Sequence, residues 1–197
     1  SIASGLYSSS IGNGSHSIGD FSTSEGKGSL SIGNYSHAEG FSTVSFGGNS
    51  HAEGQDTIAS GDNSHAEGFL TIASGVYCHA EGSVTQSLYD SSHAEGKNTI
   101  AGGGHSHAEG SGTQALAEDS HAEGTNTIAG VSNYVGKSSH AEGSGTQALA
   151  DYSHSEGINT QALADGSHAE GSGTTVTIDG VYAHAEGYGV QVKGIAS

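Results

Sequence analysis

Ser64-His65-Ala66-Glu67-Gly68, followed two residues later by Thr71-Ile72-Ala73-Ser74-Gly75, carries the pattern from which the architecture follows. In both blocks the first, third and fifth residues are small, while the second and fourth vary in character. A period of two is the signature of a strand, here with one face made only of small side chains. The two residues between blocks are drawn mainly from Gly, Asn, Asp and Ser with occasional aromatics, which suits a tight corner. Two blocks and two corners close one coil of fourteen residues.

The same wording recurs along the chain. Histidines stand at His37, His51, His65, His79, His93, His107 and His121, each fourteen after the last, then at His140, His154, His168 and His184. The longer steps before His140 and His184 place loop insertions near 134–138 and 178–182, with the register kept on either side. Such tolerance is expected at solenoid corners. The expected fold is therefore all-β: one continuous array over residues 1–197, a parallel β-solenoid of 14-residue coils, each made of two short strands. At ~4.8 Å between stacked strands, about fourteen coils give a rod on the order of 65 Å long.

Bulk composition alone points elsewhere. Leu, Ile, Val and Phe make up 31 of 197 residues and the formal net charge is −17, values that ordinarily read as disorder. That rule presumes one central core of large side chains, and a repeat array escapes it. Stacked strands satisfy the backbone continuously, and close contact of Ala, Ser, Thr and Gly supplies dispersion in place of bulk. A helical reading fails, because no 3.6-residue stripe appears and most blocks end in a glycine costing a helix ~1 kcal/mol relative to Ala. The absence of proline suits a chain whose N–H groups are nearly all needed for ladder bonds.

The two outward faces differ. The TIASG-type strand presents about one apolar residue per coil: Val44 and Phe46, Ile58, Ile72, Leu88, Ile100, Leu116, Ile128, Leu149 and Leu163. A stripe of this kind wants a partner, and identical copies around a symmetry axis bury it best, so these residues are the expected axis of a homotrimer. The SHAEG-type strand presents a ladder: His37 and Glu39, His51 and Glu53, His65 and Glu67, His79 and Glu81, His93 and Glu95, His107 and Glu109, His121 and Glu123. Placing that ladder on the axis stacks three Glu per layer, a prohibitive arrangement unless something neutralises them. The ladder reads first as a solvated polar face copied by repeat duplication, and as a candidate divalent-metal face second, since imidazole and carboxylate two apart on a strand point the same way. Glutamates crowded along the rod are expected to raise the histidine pKa values above ~6.5.

The doubled small-x-Ala-x-Gly-x-x unit, as in Ser64 to Gly68 and Thr71 to Gly75, resembles the left-handed β-roll head repeats of trimeric autotransporter adhesins. The SHAEG wording is more similar still to repeat regions of tail-fibre and tail-spike proteins of phages and prophages of Gram-positive bacteria, where such arrays often precede a self-cleaving chaperone domain. The resemblance spans essentially the whole chain. It implies a left-handed, trimeric roll, a location on a virion tail or cell surface, and a role in attachment. Adhesin heads carry aliphatic residues where His and Glu stand here.

Other chemistries find little support. Near-identical coils offer no singular catalytic arrangement, so no catalytic residue or cofactor is expected. Cys78 replaces the usual inward Ser and reads as a small buried residue. Gly102-Gly103-Gly104 lacks the helix and lysine of a phosphate cradle. Four Lys and Arg against 21 acidic residues disfavour nucleic acid and anionic membranes, and no apolar run is long enough to insert. The leading expectation is a structural rod or head segment of a fibre or adhesin, itself a segment of something longer, with a host cell-surface glycan or receptor as the outside partner. The alternatives are a glycan- or metal-binding solenoid using the ladder or the aromatic corners (Phe21, Tyr35, Phe41, Phe69, Tyr77), and an ice-binding solenoid using Thr43, Thr57, Thr71, Thr85, Thr99 and Thr113. The last is weakened because these threonines share the small inward face.

Overall fold

Each strand pairs in parallel with its counterpart in the next coil, fourteen residues further on except across two insertions, and this rule generates the architecture of the computed structural model, which describes residues 1–194. The chain is an all-β parallel β-solenoid of about fourteen coils, with no helix among the described residues. It divides into two units, Ser1–Lys97 and the part from Asn98 onward.

In the first unit, His51–Gln55, His65–Phe69 and His79–Ser83 stack in register, so His65 faces His51 on one side and His79 on the other. On the opposite side of each coil Ile58–Ala59, Ile72–Ala73 and Gln86–Ser87 stack likewise. The second unit repeats the plan. His121–Thr125, His140–Ser144 and His154–Ile158 pair in parallel, as do Ile128–Ala129 and Gln147–Ala148. Pairing of His121 with His140, and of His168 with His184, shows that both insertions leave the register intact. The first insertion closes on itself through an antiparallel bridge between Ser132 and Val135; the second turns where the Gly180 N–H donates to the Thr177 carbonyl. The last strand among the described residues is Gln191–Val192, and residues 195–197 lie outside the described residues.

The interior is as thin as the alternation requires. Ala52, Ala66 and Ala80 from the long strands meet Ala59 and Ala73 from the short ones, all fully buried. Thr43, Thr57, Thr71 and Thr85 are also fully buried, and the largest fully buried side chains are threonines and Val176. Cys78 is buried, and burial pushes its thiol pKa up, as an inert interior residue requires.

Two features differ from the expectation of equal five-residue strands. The SHAEG-type strand is five residues long but shifted by one, running from His65 through Phe69, whereas the TIASG-type strand is only Ile72–Ala73. The short strand ends early because the N–H groups of Ser60 and Gly61 both point at the Ala73 carbonyl, at 2.8 and 3.4 Å, curling the chain away. The long strand continues because Gly68 adopts φ +109, and it is solvent-exposed rather than on the inward face. A Cβ there would sit 2.1 Å from the Gly82 carbonyl oxygen, so no other residue fits while the coils remain in contact.

Corners are tied from coil to coil. Gly48 N–H donates to Asp62 Oδ1 at 2.8 Å and Val76 N–H to Asp90 Oδ1 at 2.9 Å. This explains Asp and Asn at that corner, where a short acceptor can reach a main-chain donor of the preceding coil.

Candidate functional site

The long strands hold the histidine and glutamate side chains outward, and parallel registry stacks them in columns. In the first unit the His37, His51, His65 and His79 rings lie 4.8 to 4.9 Å apart and within 7° of parallel. In the second unit His121, His140, His154 and His168 repeat this at 4.6 to 4.8 Å. Full face-to-face stacking is not the preferred arrangement of rings; here the strand spacing imposes it.

Each imidazole leans on the carboxylate two residues ahead. His65 Nε2 is 3.6 Å from Glu67 Oε2 and 3.8 Å from Glu53 Oε1 of the preceding coil. The same-coil pairs are 3.7 Å for His37 and Glu39, 3.6 Å for His79 and Glu81, and 3.6 Å for both His140 and Glu142 and His154 and Glu156. These separations exceed a hydrogen bond. The Nε2 atoms of His37, His51, His65, His79, His121, His140, His154 and His168 are shielded from solvent and make no hydrogen bond, although His65 and Glu67 keep 34% and 39% of their side-chain surface. Beside the carboxylates of the first unit runs an open groove of about 530 Å³, floored by Gly26, Gly40, Gly54 and Gly68.

The electrostatics reverse one expectation. His51, His79, His140 and His168 have pKa values lowered from 6.5, not raised. Partial burial is the largest cause and the neighbouring imidazoles come next, both outweighing the glutamates. A stack that brings carboxylates near also brings like groups near, and desolvation adds to the second effect. The mirror-image effect appears at Glu53, whose carboxyl is pushed up to about 7, first by sharing a hydrogen bond with Glu39, then by burial and by Glu67.

The short strands carry the apolar columns. Val44, Ile58, Ile72, Ile100, Ile128, Leu116, Leu149 and Leu163 are half-buried, while Phe46 and Leu88 remain 47% and 37% exposed. Residues absent from the expected stripe join it: Leu30 pairs in register with Val44, Ile2 stands two coils before Leu30 at the same position, and Ile18 and Ile32 occupy the Phe46 position of earlier coils. Their coils lack the TIASG wording, yet their second and fourth places in the block were readable. The aromatic corners are exposed. Phe21 and Tyr35 stack at 5.0 Å with parallel rings, covering each other's faces, and Lys27 lies 5.3 Å over Phe41.

No protein-family model matches the chain, and no curated protein matches it.

Proposed function

We propose that the chain is a structural segment of an extracellular fibre or surface adhesin, on a virion tail or a cell, that associates as a homotrimer through its short-strand face and contributes to attachment. The observation carrying this reading is the apolar column itself. Leu30, Val44, Ile58 and Ile72 occupy one outward register position in successive coils, and Ile32 and Phe46 flank them. Half-buried aliphatic side chains repeated at one spacing form a narrow strip that a second copy with the same spacing covers coil for coil. The resemblance to trimeric adhesin heads and phage tail-fibre repeats supports the stoichiometry and the location. The reading is non-catalytic, since successive coils repeat the same side chains and no single coil stands out chemically.

A paired substitution tests it. Ile58→Glu with Ile72→Glu places two like charges in the column while leaving the inward Ala and Thr untouched. The expected result is a β-rich circular dichroism spectrum like that of the unsubstituted chain and a fall in sedimentation mass to one chain. An unchanged mass rules out this face as the interface.

A further inference from the structure

The ladder offers more than a solvated surface. We infer that the histidine-glutamate face is a repeated site for a borderline first-row divalent cation such as Zn²⁺, each ion held by one imidazole Nε2 and the carboxylates of its own and the preceding coil. His65 shows the geometry most fully, with Glu67 Oε2 at 3.6 Å and Glu53 Oε1 at 3.8 Å from Nε2. Ligands bound at about 2.1 Å stand ~3.4 Å apart at the tetrahedral angle and ~4.2 Å apart when opposed. Both separations fall inside that span, so an ion enters by adjusting side chains alone. The Nε2 atom is enclosed and makes no hydrogen bond, which leaves its lone pair available to an ion once the ring is in the tautomer protonated on Nδ1.

Registry makes the site periodic. His65, Glu67 and His79 bring ligand atoms within 4.8 Å of one another, and in the second unit His140, Glu142 and His154 do the same. Ring spacings of 4.8 Å between His65 and His79 and between His140 and His154 exceed the widest span of two ligands on one ion, and parallel rings direct their lone pairs side by side. Each ion therefore takes one imidazole, and capacity rises by one ion per ladder coil. The donor set favours zinc-like ions over calcium, which calls for six to eight oxygen ligands. Each glutamate then serves the ions of its own and the following coil, so a filled ladder holds one carboxylate per ion, in a chain of net charge −17. The inference is separate from the trimer, because the ladder lies on the strand opposite the apolar column.

The test is a titration of the metal-stripped chain with Co²⁺, followed by visible absorption, then by displacement with Zn²⁺ and with excess Ca²⁺. Several Co²⁺ per chain, displaced by Zn²⁺ and retained against Ca²⁺, is the expected result. Two variants locate the ions: His37, His51, His65 and His79 all to Gln, and Glu39, Glu53, Glu67 and Glu81 all to Gln. The histidine variant is expected to lower the count by one ion per substituted coil, and the glutamate variant to remove at least the ions at His51, His65 and His79, which lose both carboxylates. The glutamate variant removes like-charge repulsion and so stays folded. No Co²⁺ uptake, displacement by Ca²⁺, or a glutamate variant that keeps its full count would overturn the inference.

Discussion

At the scale of single residues, the coils serve as controls for one another. Among the described residues nineteen non-glycine residues adopt positive φ, nearly all at corners, and most tolerate it because Asn, Asp and Ser accept the left-handed region or because the side chain is free to point outward. Val84 is the exception, a β-branched residue at φ 60 where Ser42, Asp56 and Asn126 stand in other coils. Replacing Val84 with Asn is expected to raise stability by ~1 kcal/mol, by relieving strain at a position that buries little. Thermal melts of the two chains measure it, and an unchanged or lower midpoint contradicts the strain argument. The sequence made the inward and outward sorting of Thr71, Ile72 and Ala73 legible because side-chain size reports it directly. Gly68 was misplaced for the complementary reason: a residue without a side chain carries no size signal, and its exposure follows from a backbone angle rather than from packing.

At the scale of the strand, registry stacks the ladder histidine on histidine and glutamate on glutamate, and the ladder's titration follows. His51, His79, His140 and His168 have folded-state pKa values below 6.5. Their contribution to stability is complete above the unfolded value and is lost as pH falls below ~6.5. Glu53 runs the other way. With a folded pKa of about 7 against 4.5, its contribution is complete below 4.5 and is lost as pH rises toward 7. Glu53→Gln is therefore expected to raise the thermal midpoint of the metal-free chain at pH 8 and to leave it unchanged at pH 4. A midpoint lowered at pH 8 instead means that the carboxylates there are mutually compensated. The stacked columns were legible in the sequence from the fourteen-residue period alone. The direction of the histidine shifts was not, because it depends on whether burial and like neighbours outweigh the glutamates, and composition shows only that His and Glu alternate. The unequal strand lengths were likewise hidden, since they depend on the two N–H groups of Ser60 and Gly61 converging on one carbonyl.

At the scale of the whole molecule, a solenoid distributes its stability over repeated contacts between neighbouring coils and has no large central core to lose. Its interior of alanine, serine and threonine contributes little hydrophobic burial per residue, so the apolar columns of the short strands are where further burial is available. The one-sided placement of Leu30, Val44, Ile58 and Ile72 gives the proposed association a defined face, while the ladder keeps the opposite strand charged. The recurring wording of the blocks revealed most of that face. Ile18, Leu30 and Ile32 escaped because the first coils depart from the wording while keeping the spacing, and spacing is what sets which way a side chain points. The most direct measurement is the mass of the chain in solution by light scattering at neutral pH, with and without a chelator. Three chains are expected in both conditions. A single chain in both would contradict it by leaving the apolar columns uncovered, and a trimer that falls apart with the chelator would move the interface from the apolar columns to the ladder.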